Sequence, residues 1–192
     1  MQIVLVHGIW DSGKVFRRMA SYLNEEGHSC YTPDLLPANG AEGLVDLAEK
    51  LRIYIEGTLE AGPFALAGFS MGSLISRYYL QRLGGLERVR YFFNISGPQR
   101  GTLAAHVWPG KAARDMRFGS RFIRELNADL NKLSQIDIRT YRTPFDLLVI
   151  PSGSSKLPGS EDRLIYAPLH HRMLCQESLF KDIAATLRQR DT

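Results

Sequence analysis

The pentapeptide Gly68-Phe69-Ser70-Met71-Gly72 constrains the fold of this chain more than any other feature. It matches the pattern G-x-S-x-G, in which a serine sits on a sharp turn between a strand and a helix. An apolar run at 64–67 enters it, and apolar residues at helical spacing, from Leu74 to Leu80, follow it. The two glycines remove side chains that would clash where the strand and the helix fold back on each other. The pattern therefore predicts a strand–turn–helix elbow with the hydroxyl of Ser70 exposed at the carboxyl edge of a sheet.

Strands and helices alternate along the whole chain. Apolar runs predict six strands, at 3–6, 29–32, 64–69, 89–95, 136–142 and 163–166. Helical periodicity predicts helices at 15–23, 44–55, 118–133 and 174–187, besides the elbow helix, which ends near Gly84. Such alternation is typical of a mostly parallel sheet with helices on both faces. We therefore predict a single α/β domain over residues 1–192, in which 97–118 is the only space for a short lid or cap.

The composition is that of an ordinary globular domain and excludes several classes of protein. A chain of 192 residues, 44% of them hydrophobic, is long enough to bury a full core. The 24 basic and 20 acidic residues leave a net charge of +4 that is scattered along the chain, which argues against a nucleic-acid partner. Two cysteines, Cys30 and Cys175, give neither a disulfide framework nor a metal-ligand spacing.

No leader pattern and no run of about 18 apolar residues occurs in the sequence. We therefore expect a cytoplasmic protein without an integral membrane segment. A chain whose signal segment had been removed would look the same.

A serine hydroxyl becomes a good nucleophile only when a base takes its proton and a third group orients that base. On an elbow of this kind an acid and then a histidine follow the serine along the chain. His106 lies in an irregular stretch with no strand end to fix it, whereas His170 and His171 follow the last predicted strand. Spacing favours this pair as the source of the base and does not choose between its two members.

The candidates for the orienting acid are the aspartates that follow the serine, namely Asp115, Asp129, Asp137, Asp146 and Asp162. Asp129 falls on a predicted helix, and Asp137 and Asp162 lie at the wrong ends of their strands. Asp146 follows the fifth strand at the correct edge, unless 145–150 is itself the strand. We predict that Asp146 is the acid.

The negative charge that develops on an acyl oxygen needs two backbone N–H groups, which form an oxyanion hole. One is expected from Met71, at the start of the elbow helix, where the helix dipole adds to the effect. The other is expected from the loop after the first strand, where Gly8 lets backbones approach, with Ile9 the first candidate and Trp10 the second. His7 precedes the serine, so we predict that it braces this loop. If the sheet order is 2-1-3-4-5-6, both loops border the crevice where ligands bind in such sheets.

The chain resembles the small α/β-hydrolases of the bacterial lipase and esterase type over nearly its whole length. The likeness rests on Leu5-Val6-His7-Gly8, on the pentapeptide, on the motif at 95–102 and on His170-x-x-Met173-Leu174. The resemblance implies that the base is the histidine of the H-x-x-M-L pattern, His170, and the stretch 143–151 looks like the acid loop of the family. These relatives typically carry a large lid, so the short interval here implies a nearly lidless hydrolase.

Together these observations predict a serine hydrolase that cleaves carboxylic esters with Ser70, His170 and Asp146 through an acyl-enzyme, without metal or cofactor. The apolar loop residues Trp10, Leu103 and Trp108 are predicted to contact a small-molecule ester or lipid substrate. A thioesterase, amidase or acyltransferase with the same triad is the alternative, followed by a non-catalytic binding protein on this fold. The sequence leaves the acyl chain length, the alcohol group and the oligomeric state open.

Overall fold

Six parallel strands form the sheet at the centre of the computed structural model, which describes residues 1–188. The strands are β1 (Gln2–Val6), β2 (Ser29–Tyr31), β3 (Phe64–Phe69), β4 (Val89–Ile95), β5 (Asp137–Arg142) and β6 (Glu161–Leu164). Their order is β2-β1-β3-β4-β5-β6, and every neighbouring pair is parallel. The predicted six-stranded α/β architecture is confirmed, and the strand order is the one for which the loops after β1 and β3 border the ligand crevice.

Helices cover both faces of this sheet. They are α1 (Arg17–Glu25), α2 (Leu44–Thr58), α3 (Met71–Arg82), α4 (Lys111–Asp115), α5 (Arg121–Ala128) and α6 (Glu177–Arg188). Buried side chains of α2, α3, α4 and α5 belong to one core cluster, and those of α1 and α6 belong to a second on the opposite face. The central strands β1, β3 and β4 are therefore largely shielded from water on both faces, as expected for an all-parallel sheet.

The strand that leads to the elbow is buried along its whole length. Because successive side chains of a strand point to opposite faces, Phe64 and Leu66 join the core beneath α2 and α3. Ala65, Ala67 and Phe69 join the core beneath α1 and α6. Burial of each phenylalanine or leucine stabilises the fold by about 1.5–3 kcal/mol, so β3 gives the elbow a firmly packed base.

The structure corrects several predicted boundaries. β6 spans Glu161–Leu164 instead of 163–166, because this edge strand is exposed along its length and shows no apolar periodicity. The helix predicted at 118–133 is α5 followed by a 3₁₀ turn, Leu130–Gln135. Gly119 has a positive φ of 66°, and the hydroxyl of Ser120 accepts the N–H of Ile123 at 3.1 Å, so the helix starts at Arg121.

Two other helices begin later than predicted, because a 3₁₀ turn precedes each of them. Gly13–Phe16 is such a turn before α1, which was predicted to start at residue 15. His170–Cys175 is the turn before α6, which was predicted to start at residue 174. The second turn matters for the site, since it carries both candidate histidines.

Candidate active site

Ser70 occupies the turn between β3 and α3 with φ 53° and ψ −123°, a conformation that residues other than glycine rarely adopt. Its carbonyl accepts the N–H of Ser73 at 3.0 Å. A Cβ at Gly68 would lie 2.4 Å from the Cα of Ser73, and a Cβ at Gly72 would lie 2.2 Å from the carbonyl oxygen of Val6. Neither position can carry a side chain without moving backbone. The close packing around the turn therefore holds the serine in its strained conformation.

Asp146 and His170 are joined by a hydrogen bond of 2.8 Å between Oδ2 and Nδ1, and their side chains are only 1% and 3% exposed. Asp146 lies in the loop after β5, since residues 145–150 form no strand. Its Oδ1 accepts the N–H groups of Leu148 at 2.9 Å and Val149 at 2.8 Å. Burial opposes ionisation of this carboxyl, but the hydrogen bond and charge of His170 and the two N–H groups outweigh it. The pKa of Asp146 is therefore below its ordinary value.

An ionised Asp146 holds the proton of the imidazole on Nδ1, which leaves Nε2 as the ring nitrogen with a free lone pair. The Nε2 of His170 is buried and has no hydrogen-bond partner within residues 1–188. His170 and Ser70 line the same small cavity, of about 30 Å³. A buried acceptor nitrogen beside an elbow serine is the arrangement that a general base requires. The structure thus brings Ser70, His170 and Asp146 together.

Two backbone N–H groups are candidates for the oxyanion hole: Ile9 lines this cavity, and Met71 directly follows Ser70 in the chain. Among the hydrogen bonds of the described residues, none uses the N–H of Ile9 or of Met71, the first residue of α3. The N–H of Trp10 donates to the carbonyl of Ala38 at 2.7 Å, so it is not available to a substrate. A Cβ at Gly8 would lie 3.1 Å from the Cβ of the elbow serine, which shows how closely the loop after β1 approaches it.

The buried His7 connects the loop after β1 to the loop after β2. Its Nε2 accepts the N–H of Leu35 at 2.9 Å, so Nδ1 carries the proton and donates to the carbonyl of Gly8 at 2.8 Å. The ring is fully buried. Both nitrogens are occupied by backbone groups, which agrees with a bracing role for this histidine.

His171, the other member of the pair, faces the opposite loop. Its side chain is 53% exposed, and its Nε2 lies 3.3 Å from Oδ2 of Asp11. The interaction with this carboxylate raises the pKa of His171 above its ordinary value, although partial burial opposes the shift. Asp11 directly follows the candidate oxyanion loop, and this pair could not be predicted from the sequence, in which its members are 160 positions apart.

None of the other acidic or histidine candidates lines the cavity beside the elbow serine; these are Asp115, Asp129, Asp137, Asp162 and His106. Asp115 accepts the N–H of Leu44 at the start of α2, at 2.9 Å. Asp162 pairs with Arg142 at 2.8 Å on the edge of the sheet. These two carboxylates bind neighbouring groups of the fold and do not line the cavity.

The predicted substrate contacts divide into two groups. Trp10 and Trp108 line the cavity, and their rings meet edge to face with centroids 5.1 Å apart. Leu103 is 56% exposed on the 3₁₀ turn Leu103–His106 and does not line the cavity. Its side chain is therefore not brought to Ser70 in this structure.

No role was predicted for Thr102, although it belongs to the motif at 95–102. Its buried hydroxyl donates to the carbonyl of Leu148 and accepts the N–H of Ile150, both at 2.9 Å. Those two groups flank Val149 in the loop that holds the carboxylate of Asp146. Thr102 thus joins the acid loop to the segment that follows β4.

Within residues 1–188, no three side chains of the metal-binding types lie close enough together to hold a metal ion, and Cys30 and Cys175 are free thiols. None of the helices in this part of the chain combines the length and the apolar character needed to cross a membrane.

Solved structures of lipases superpose on most of this chain. Lipase B of Aspergillus fumigatus matches with a TM-score of 0.76 and 17% identity over 90% of this chain, which spans 49% of that lipase. The mature lipase BlEst2 of Bacillus licheniformis matches with a TM-score of 0.75 and 16% identity, over 97% of this chain and 91% of the lipase. At such identities the likeness concerns the fold.

A curated relative, the lysosomal thioesterase PPT2 of Bos taurus, is 30% identical over 104 residues. The match covers 52% of this chain and 34% of the thioesterase, so it spans about a third of that relative. The family model described as alpha/beta hydrolase fold matches residues 2–133, which include the elbow and the first four strands. Since this match covers more than half of its length, the chain belongs to the alpha/beta hydrolase fold family.

Proposed function

We propose that this chain is a serine hydrolase that cleaves carboxylic esters, with Ser70 as nucleophile, His170 as base and acid, and Asp146 as the orienting group. One observation carries the proposal: the 2.8 Å hydrogen bond from Nδ1 of His170 to Asp146, beside a buried Nε2 that has no partner among the described residues. A base held in this tautomer, on the same cavity as a serine in a strained turn, favours proton transfer from the hydroxyl.

In the first step the Oγ of Ser70 attacks the acyl carbon and passes its proton to Nε2 of His170. The imidazolium that forms is stabilised by the ionised Asp146. The former carbonyl oxygen becomes negative and accepts hydrogen bonds from the N–H groups of Met71 and Ile9. Removal of one donor from such a pair typically lowers kcat by about 10²–10³-fold, which gives the scale of their contribution.

Collapse of this intermediate breaks the ester C–O bond, and Nε2 of His170 returns its proton to the leaving oxygen. The acyl group remains on Ser70. Water then attacks the acyl carbon and gives its proton to the same nitrogen, and a second collapse releases the carboxylic acid and restores the hydroxyl. The proposed substrate is a small-molecule ester or lipid, and the scheme uses neither metal nor cofactor.

A thioester is the second candidate substrate, because the curated relative with 30% identity is a thioesterase. The same three residues serve a thioester, since a thiolate leaves more easily than an alkoxide and needs less help from the acid. Oxygen esters and thioesters with the same acyl group separate the two candidates. The substrate with the higher kcat/KM identifies the preferred class.

Hydrolysis of short p-nitrophenyl esters by the wild type and Ser70→Ala tests the proposal. We expect the variant to lose activity by about 10⁴-fold or more, with an unchanged circular dichroism spectrum. A fluorophosphonate probe should add its mass to the wild type at Ser70 and leave the variant unlabelled. Substantial turnover by the variant would remove the nucleophile assignment. A folded wild type that neither turns over esters nor reacts with the probe would indicate a binding protein on this fold.

A further inference from the structure

An apolar groove of about 550 Å³ lies beside the candidate active site. Four leucines form much of its wall, Leu147 and Leu148 from the acid loop and Leu169 and Leu174 from the segment around the histidines, with Val15 contributed by the turn before α1. Leu147 is 67% exposed and Leu169 is 53% exposed. Large aliphatic side chains that adjoin a reactive centre and remain open to water are typical of a binding surface.

The groove adjoins the cavity that contains the nucleophile. His170, His171 and Leu148 line both spaces. Ser70 and Ile9 line only the small cavity. His170 therefore stands at the boundary, with the nucleophile and an oxyanion donor on one side and the groove on the other.

The chemistry of ester cleavage assigns the two sides to different parts of a substrate. The acyl carbon must lie at Ser70, with its oxygen at the oxyanion donors, whereas the leaving oxygen must lie at Nε2 of His170, which protonates it. The substituent on the leaving oxygen consequently extends toward the space that adjoins the histidine. We infer that the groove binds the leaving group of the substrate, and that this group is an apolar alcohol. This inference rests on the proposed function.

The cavity on the serine side offers much less room. Its volume is about 30 Å³, and the contact between Trp10 and Trp108 forms part of its wall. The groove on the histidine side is large enough for a chain of several carbons. The site therefore prefers esters that combine a short acyl group with a large apolar alcohol over esters of the opposite design.

Isomeric esters test this preference with composition held constant. Hexyl acetate and methyl heptanoate have the same formula and place five additional methylenes on the alcohol side or on the acyl side. Full burial of a methylene raises kcat/KM about fourfold, and burial in an open groove about twofold. We expect kcat/KM for hexyl acetate to exceed that for methyl heptanoate by about thirtyfold, and to rise from methyl through butyl to hexyl acetate.

The double variant Leu147→Asn/Leu169→Asn examines the groove itself. Both side chains are more than half exposed, so their replacement removes apolar contact from the groove without opening the core. We expect the ratio between hexyl acetate and methyl heptanoate to fall at least tenfold. Ile53→Asn is the matched control, because Ile53 is 61% exposed on α2, lines neither space and should leave the ratio at its wild-type value.

Several outcomes would overturn the inference. Ser70-dependent hydrolysis that favours methyl heptanoate, or that is indifferent to the alcohol, leaves the proposed function standing and assigns the groove no role in leaving-group binding. A wild-type dimer that becomes monomeric in the double variant, together with a flat dependence on the alcohol, assigns the groove to a second copy of the chain. If the wild type hydrolyses none of these esters in a Ser70-dependent way, both the proposed ester hydrolysis and the proposed role of the groove are wrong. The isomer ratio of the wild type decides the matter even if the double variant fails to fold.

Discussion

The hydrogen bonds of the Thr102 hydroxyl allow two roles of this residue to be distinguished by experiment. It could position the loop that holds Asp146, or it could only stabilise the fold. The hydroxyl of Thr102 donates to the carbonyl of Leu148 and accepts the N–H groups of Ile150, at 2.9 Å, and of Ala104, at 3.3 Å. The loop between those partners supplies two N–H groups to the carboxylate of Asp146. Thr102→Val keeps the shape of the side chain and removes every one of the hydroxyl contacts.

The expected loss of stability in Thr102→Val is set by the backbone groups that lose their hydrogen bond to the hydroxyl. The carbonyl of Leu148 and the N–H of Ile150 are half-buried, and an unsatisfied buried group costs about 1–3 kcal/mol, so the lower half of that range applies to each. We expect Thr102→Val to lower the free energy of unfolding by about 2–4 kcal/mol. A displacement of about 1 Å in a catalytic group can reduce the rate about 10²-fold, so kcat should fall between about tenfold and a hundredfold.

Urea unfolding and ester hydrolysis, measured well below the melting temperature, check both quantities. Thr102→Ser is the control, since it retains the hydroxyl and loses only a methyl group, and its kcat should stay near that of the wild type. A folded Thr102→Val protein with wild-type kcat would refute the link to Asp146 and leave Thr102 a purely structural residue. An equal loss of kcat in both variants would show that the methyl group, and not the hydroxyl, positions the loop.

Three further predictions concern the histidine pair and the segment that borders the site. His170→Ala should lower kcat by about 10³–10⁴-fold, whereas His171→Ala should stay within about tenfold of the wild type; equal losses in ester hydrolysis would argue against the assignment of the base. Because Asp11 raises the pKa of His171 above its ordinary value of 6.5, the pair contributes stability that is complete below that pH and is lost as the pH rises through the raised value. At about pH 5.5 the free energy of unfolding in urea should therefore be higher for the wild type than for His171→Gln, by less than about 1 kcal/mol because the pair is half-exposed. At about pH 9 the two free energies should be equal. A difference that grows as the pH rises would contradict the prediction. If 97–118 is too short to close as a lid, rates on a soluble ester should rise smoothly through its solubility limit, and a sharp increase at that limit would point to a covered site.

The sheet could be predicted from the sequence because its central strands are continuous apolar runs. β3 and β4 are buried along most of their length, and their predicted bounds coincide with the observed ones. β6 could not be placed as well, because it lies at the edge and pairs through charged side chains such as Asp162 with Arg142. Apolar periodicity indicates which residues are buried. It therefore cannot locate an exposed strand that is held by main-chain hydrogen bonds and ion pairs.

The helix boundaries show a similar limit. The predicted start of the last helix at residue 174 is wrong, because the apolar residues Met173 and Leu174 are buried from a 3₁₀ turn and α6 begins only at Glu177. An apolar spacing of three or four residues fits either conformation. Only the path of the chain after β6 decides between them, and that path is set by tertiary contacts.

The candidate site divides in the same way between local and long-range determinants. The elbow could be predicted from the pentapeptide because both glycines that it requires, Gly68 and Gly72, lie within two residues of Ser70, although Gly72 is needed for the close approach of Val6 in β1. The relation between His170 and Asp146 spans 24 positions, and it depends on two loops that meet because β5 and β6 are adjacent in the sheet. The parallel direction of the strands predicts that both loops lie at the same edge of the sheet. That prediction was enough to choose Asp146 among the aspartates, but it could not choose between His170 and His171, because both follow the same strand.

The groove could not be predicted, because its walls come from three loops whose side chains are far apart in the sequence. The sequence predicted Val15 as the first residue of a helix and assigned no role to Leu147 or Leu169, and the three form one surface only where the loops after β1, β5 and β6 converge. The strand order fixes that convergence, but the size of the space depends on how each loop turns, as the bonds of Thr102 and Asp146 illustrate. The proposed reaction class therefore rests on one pentapeptide and two downstream residues. The preferred size of the leaving group depends on the volume of the groove between these loops. This preference has to be measured on the folded protein, with isomeric esters that carry their methylenes on the alcohol side or on the acyl side.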